Sequence, residues 1–213
     1  MSPIKNQSRN TRRDVSLPRA RQSRVGSVRI IAGQWRKTPL VVPDLDGLRP
    51  TGDRVRETLF NWLTHFKGDY STLTGLDFFA GSGALGFEFG SRGAQSVVMV
   101  EKSRNAAQAL KATKEKLHAE QIRIIEGDAL VKVASLEERF DIIFIDPPFA
   151  LNFHEKALKI ATQRLKPNGL IYVESPKEWQ ANELLEALNL EILRESTAGA
   201  VTYRLLRIRE EQP

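Results

Sequence analysis

The sequence predicts an α/β fold, a doubly wound and mostly parallel sheet of seven strands whose last two strands form an antiparallel pair. Strand-like and helical segments alternate between residues 75 and 174. The strand-like segments are near-continuous runs of Val, Ile, Leu and Phe, as required of strands with helices on both faces. The last two runs, Leu190–Arg194 and Val201–Ile208, are joined through a turn at Ala198-Gly199. That link is too short for a crossover, so they must run antiparallel.

The chain has 213 residues with 41% hydrophobic content, enough for one sizeable core. It contains no cysteine, which removes disulfides, thiolate nucleophiles and cysteine-ligated metals. His65, His118 and His154 are far apart and in no ligand spacing, so no metal is expected. Apolar runs such as Val97–Val100 and Ile142–Ile145 fall far short of the ~20 residues that span a bilayer. A cytoplasmic monomer with no membrane association is expected. The net charge of +6 is unevenly placed. Residues 1–30 hold eight bases against Asp14, a local +7, and residues 31–213 carry −1. This Ser-, Asn- and Gln-rich stretch cannot bury enough apolar surface to fold alone. A flexible basic arm at 1–27 is predicted, suited to a polyanion such as RNA, with a solubilising tail or an organelle transit peptide as the alternatives.

After the arm, Val28–Ala32 and Leu40–Val42 are short β-prone runs around Gly33-Gln34-Trp35-Arg36-Lys37, predicting a hairpin extension over 28–50. Trp35 and Arg36, with Lys37, lie near its tip and are candidate RNA contacts; Trp35 would alternatively cover the hairpin's own apolar side. The main domain, 51–213, opens on a helix from an N-cap at Thr51 to about Phe66. Its apolar stripe is Val55, Leu59, Trp62 and Phe66, which leaves Arg54, Glu57 and Asn61 on the polar face. Strands follow at Gly75–Phe79, Ser96–Glu101, Ile122–Glu126, Asp141–Ile145 and Gly169–Glu174. Helices separate them at Ala84–Arg92, Arg104–His118, Ala129–Glu138 and Phe153–Leu165, and another lies near Trp179–Leu188.

The first strand runs into Asp77-Phe78-Phe79-Ala80-Gly81-Ser82-Gly83-Ala84-Leu85-Gly86, a G-x-G-x-x-G turn between a strand and a helix. Glycines are needed where the backbone turns sharply and a ligand approaches without a Cβ in the way. Glu101, twenty residues past Gly81, ends the second strand where an acid accepts ribose hydroxyls. Taken alone the turn fits a dinucleotide. Asp77 lies four residues before Gly81, where it would repel a pyrophosphate and attract an ammonium. Asp128, in Gly127-Asp128-Ala129 after the third strand, is placed to accept from an adenine amino group or to cap the next helix. Three acids after three strands suit S-adenosylmethionine, with Phe79, Ala80, Ser82, Lys102 and Ala129 among the lining positions.

The fourth strand ends in Asp146-Pro147-Pro148-Phe149. Consecutive prolines fix φ and remove two donors, leaving carbonyls and a carboxylate as the polar content of the turn. Such an acceptor-only corner suits an exocyclic amino group, whose lone pair it would aim at a methyl carbon, while Phe149 offers a stacking face for an extruded base. A turn that merely ends a strand, with Phe149 in the core, is the plainer alternative.

Arg29-Ile-Ile-Ala-Gly-Gln-Trp-Arg36, the block Gly47 to Leu63, Asp77 to Gly86 and Ile171-Tyr-Val-Glu-Ser175 closely resemble the bacterial small-subunit rRNA guanine-N2 methyltransferase family, named for guanine 966 of 16S rRNA. The resemblance runs over about residues 28–208 and omits the arm. It implies a class I methyltransferase fold and S-adenosylmethionine-dependent methylation of a guanine amino group, on 16S rRNA or an assembling small ribosomal subunit. Asp77, Gly81, Gly83, Glu101 and Asp128 would hold the cofactor and Asp146–Phe149 the base. Thr51, Arg54, Glu57 and Asn61 would close over cofactor or nucleotide. Competing readings are an adenine-N6 or protein-glutamine methyltransferase, a nicotinamide-dependent oxidoreductase, and a non-catalytic RNA-binding module.

Overall fold

A computed structural model describes residues 28–42, 52–148 and 153–210. The basic arm, the 43–51 segment with Thr51, and Phe149 lie outside the described residues. One seven-stranded sheet is built from β1 (Thr74–Asp77), β2 (Ser96–Glu101), β3 (Ile122–Glu126), β4 (Phe140–Ile145), β5 (Leu165–Pro176), β6 (Leu190–Ala198) and β7 (Val201–Ile208), in the order β3-β2-β1-β4-β5-β7-β6. Pairs β1–β2, β1–β4, β2–β3 and β4–β5 are parallel, while β5–β7 and β6–β7 are antiparallel. This is the predicted class I methyltransferase architecture. Strand order reverses between β1 and β4, which opens a crevice at their C-terminal ends.

The helices are α1 (Asp53–Lys67), α2 (Ala84–Ser91), α3 (Arg104–Leu117), α4 (Ala129–Ala134), α5 (His154–Arg164) and α6 (Asn182–Ala187). One core lies under α1, α2 and α3, with Phe60, Leu63, Phe87, Leu110 and Phe144 among its members. The other lies under α4, α5 and α6, around Val133, Ile143, Leu158 and Leu185. Among the described residues no helix is long and apolar enough to cross a membrane.

Several expectations are corrected. The first helix takes Gly52, not Thr51, as its N-cap, and Gly52 makes no side-chain cap bond. Its deeply buried residues are Arg56, Leu59, Phe60 and Leu63. Val55, Trp62 and Phe66 are only partly buried at the margin of that face. The fourth helix stops at Ala134, well before Glu138, and the sixth is confined to Asn182–Ala187. β5 and β6 are longer than expected because each gains hydrogen-bonded length from a neighbour, β5 from β7 as far as Pro176 and β6 from β7 as far as Ala198.

The hairpin expected over 28–50 reduces, in its described part, to one antiparallel bridge, Arg29–Pro39, supported by Leu40 N–H to Val28 O at 2.8 Å and Lys37 N–H to Ile30 O at 2.8 Å. What fixes it is α2, whose every residue is buried. Glu88, fully buried on that helix, accepts from the N–H groups of Ile31 (2.6 Å) and Ala32 (3.1 Å) and pairs with Arg92 (2.7 Å). Arg56, fully buried on α1, donates to Arg29 O at 2.8 Å and Asp53 Oδ1 at 2.7 Å, and its guanidinium lies 3.8 Å from Glu88. Three segments, the extension, α1 and α2, are thus tied through one pair of buried charges, and a buried charge persists only when it is paired and hydrogen-bonded.

Candidate active site

Sharp turns carry the acids to the crevice. Gly81 and Gly83 adopt φ of 52° and 78°, and Gly83 N–H closes on Ala80 O at 2.6 Å. A Cβ on Gly83 would come within 2.5 Å of the Phe87 ring and 2.7 Å of Leu110, so this position tolerates glycine alone. The turn stays open toward the crevice, with Gly81 and Ser82 half-buried while Ala80 is buried. Phe79, also half-buried, stacks on Phe153 with ring centroids 5.9 Å apart and planes within 5°.

Asp77 is 2% exposed and accepts from the Gly86 N–H at 2.9 Å. Burial pushes its carboxyl up to about 7, and the nearby Asp146 and Glu101 push in the same direction. Such a carboxyl is costly to ionise alone and is held in its charged form by an incoming cation. Glu101 pins the turn from β2, accepting from Gly81 N–H at 2.8 Å and Ser103 N–H at 2.6 Å. Asp128 caps α4 through Leu130 N–H at 3.1 Å and meets Lys102 at 3.1 Å. The Lys102 ammonium holds the Asp128 carboxyl below the usual range. The helix-cap reading of Asp128 is therefore realised, and Ala129 is buried as the first residue of α4.

Across the crevice, Asp146 is half-buried, Pro147 buried and Pro148 exposed. Asp77 lies near enough to both Asp146 and Glu101 to feel their charge. The fold therefore gathers carboxylates from β1, β2 and β4 at one point. A pyrophosphate is a poor occupant of such a field, which speaks against the oxidoreductase reading.

Arg54, Glu57 and Asn61 are exposed on α1, and the helix charge that does form an i,i+3 pair is Asp53 with Arg56. The structure corrects the assignment of Trp35 as an RNA contact. Its ring is 9% exposed, meets Phe87 edge-on at 6.5 Å and covers Gly90, where a Cβ would lie 3.1 Å from the ring. Its apolar surface is already committed to the core. Arg36 and Lys37 are exposed, but Gln34 N–H bonds Ser91 O at 2.8 Å, which sets this tip at the far end of α2 from the glycine turn. At 1.5 Å per residue the helix separates them by about 12 Å.

Sequence reasoning missed Arg56 and Glu88, whose signal was a charged residue at core spacing in each helix. It quoted Glu174 without giving it a role. That residue is 4% exposed at the end of β5, and its Oε1 accepts from the Tyr172 hydroxyl at 2.8 Å.

Comparisons with known proteins agree with this arrangement. The family model described as conserved hypothetical protein 95 matches residues 28–207. Ribosomal RNA small subunit methyltransferase D of Haemophilus influenzae is 44% identical over 186 residues, covering 84% of this chain and 93% of that protein. Its namesake in Escherichia coli K12 is 43% identical over 190 residues, covering 88% and 92%. Among solved structures, that of yhhF from Escherichia coli has a TM-score of 0.75 at 39% identity, covering 87% of this chain and 100% of that one. A precorrin-6y C5,15-methyltransferase of Geobacter metallireducens, with a TM-score of 0.59 and 19% identity over 74% and 88% of the two chains, shares the fold alone. By its fold and by these relatives, the chain belongs to the conserved hypothetical protein 95 family, alongside the bacterial small-subunit ribosomal RNA methyltransferases D.

Proposed function

We propose that this protein transfers a methyl group from S-adenosylmethionine to the exocyclic N2 of guanine 966 in 16S rRNA. The observation that carries the reading is the meeting of the Asp77 turn and the Asp146-Pro147-Pro148 corner at the β1/β4 switch point, in a chain whose relatives are named small-subunit rRNA methyltransferases. Relatives with this fold and name imply a methyl donor of the S-adenosylmethionine type.

The site's residues fit that donor. The buried Asp77 carboxyl gains a cationic partner in the ammonium, and the turn at Gly81 and Ser82 stays half-exposed toward the crevice. Glu101 is assigned to the ribose hydroxyls and Asp128 to the adenine amino group, with Phe79, Ala80, Gly81, Ser82, Lys102 and Ala129 lining the approach. The cofactor supplies an electrophilic methyl carbon bonded to a sulfonium sulfur.

Asp146 Oδ and the Pro147 carbonyl would accept the two N–H bonds of the guanine amino group, so that its lone pair faces the methyl carbon. A nitrogen–carbon bond forms as the sulfur–carbon bond breaks, and one N–H proton leaves, for which Asp146 is the nearest assigned acceptor. Most of the rate would come from orientation. Phe149 is assigned to stacking on the extruded base, and Thr51, Arg54 and Glu57 to the cofactor or nucleotide. The arm at 1–27 and the exposed Arg36 add RNA phosphate contacts.

The test is labelled S-adenosylmethionine with small ribosomal subunits lacking the modification, followed by digestion to nucleosides. Labelled N2-methylguanosine at the single position is expected. Labelled N6-methyladenosine, or no transfer, would reject the proposal.

A further inference from the structure

Glu174 closes a motif, Ile171-Tyr-Val-Glu-Ser175, that the proposed function leaves without a role. Its position follows from the sheet. β4 and β5 run parallel with Phe144 opposite Tyr172 and Ile145 opposite Val173, where their pairing ends, and Asp146 and Glu174 are the residues that follow on the two chains. Neighbouring strands are about 4.8 Å apart. Asp77 is registered against Phe144 across the β1–β4 pair. Because side chains alternate along a strand, Asp77, Asp146, Tyr172 and Glu174 project to the same face, the one covered by α1. The rings of Phe60 on α1 and Phe144 meet on that face at 6.1 Å.

The carboxylate is also held in place. Tyr172 donates to Oε1 at 2.8 Å, and the His154 ring nitrogen Nε2 lies 2.9 Å from the Glu174 carbonyl oxygen. Trp62 stacks on Tyr203, the β7 partner of Glu174, at 5.3 Å. Both Glu174 and Asp146 push the buried Tyr172 phenol well above its ordinary range, burial being the larger cause, which is consistent with the two acids lying side by side above it.

An ionised carboxylate only accepts hydrogen bonds. Guanine presents two kinds of donor on one edge, the N2 amino group and N1–H, whereas adenine carries an acceptor at N1. We propose that Glu174 is a specificity determinant that accepts the N1–H of the target guanine next to the Asp146 corner, so that the pocket admits guanine and turns adenine away. This rests on the guanine-N2 reading above and adds to it the residue that reads the base. A carboxylate facing the N1 of adenine sets acceptor against acceptor, and a site built to bond a substrate N–H rejects analogues lacking it.

The test replaces the target guanine in reconstituted small subunits by 2-aminopurine, which keeps the reacting amino group but has an acceptor at N1. Rates on the two substrates are compared within each enzyme. Wild-type protein is expected to favour guanine by about 10- to 100-fold, the range for a hydrogen bond to a charged group. Glu174→Gln, whose amide donates to an N1 acceptor, should lose most of that preference or invert it, with unchanged thermal stabilisation by S-adenosylmethionine. Tyr172→Phe, which removes one of the hydrogen bonds that orient the carboxylate, should reduce the preference several-fold and serves if the first variant does not fold. An unchanged guanine to 2-aminopurine ratio in either folded variant overturns the proposal. Failure of the guanine-N2 reading is separate and visible beforehand, as wild-type protein that makes no N2-methylguanosine on the natural substrate.

Discussion

Asp77, as the proposed partner of the cofactor's ammonium, should make stability and cofactor affinity depend on pH in opposite senses. Its carboxyl is raised from the ordinary 3.8 to about 7, chiefly by burial. At about 1.36 kcal/mol per pKa unit, this weighs against the ionised folded state by about 4 kcal/mol at alkaline pH. Because the folded value lies above the unfolded one, this group's contribution is complete below the unfolded value and is lost as pH rises through the folded one. The cofactor-free protein should therefore lose about 2–3 kcal/mol of stability between pH 5 and pH 8 through Asp77. Asp77→Asn, which keeps an oxygen for the Gly86 N–H, should flatten the curve by that amount. Binding runs the other way, since the carboxyl must shed its proton to meet an ammonium. S-adenosylmethionine affinity should rise about tenfold per pH unit from 5 to 7, then fall once the ligand's α-amino group deprotonates above about 7.7–8.0. Calorimetry in buffers of different ionisation enthalpy reads both the affinity and the released proton. A dissociation constant flat between pH 5 and 7, or the same slope in Asp77→Asn, would refute the reasoning.

Two further outcomes test the scaffold. Gly83→Ala drives a Cβ into Phe87 and Leu110 at a φ of 78° and should cost about 1–3 kcal/mol, with the thermal shift from S-adenosylmethionine abolished; a retained shift would show that the turn does not form the cradle. Glu88→Ala removes the acceptor for Ile31 and Ala32 N–H and the anion facing Arg56 and Arg92, for an expected loss of about 3–5 kcal/mol by denaturant unfolding. A loss under about 1 kcal/mol would mean that the extension is held by apolar packing alone.

The sheet and its parallel core strands were legible because each β-strand carries its own burial pattern, and Val97–Val100 or Ile142–Ile145 needs no distant residue to be recognised. The glycine turn was legible for a related reason, since positive φ at Gly81 and Gly83 is a local demand on residue type. Helix ends were less legible. Leu136 to Glu138 is sequence-compatible with a longer α4, but Ser135 N–H bonds Val131 O and Lys132 O as the helix ends. Arg56 illustrates the opposite failure, because an arginine in a helix ordinarily belongs to the solvated face, and its burial depends on Asp53, on the Arg29 carbonyl and on Glu88, thirty-two residues away.

The sequence by itself determined the architecture, the glycine turn and the acidic, proline-stiffened strand ends, because these follow from periodicities and backbone demands that act over a few residues. Only the tertiary structure decided that Trp35 faces Phe87 in the core, that buried Arg56 and Glu88 tie the extension to α1 and α2, and that Glu174 and Asp146 both come near the Tyr172 hydroxyl. Each of those outcomes is set by which distant segments pack or pair, and the free energy of pairing two buried groups appears in neither stretch of chain alone.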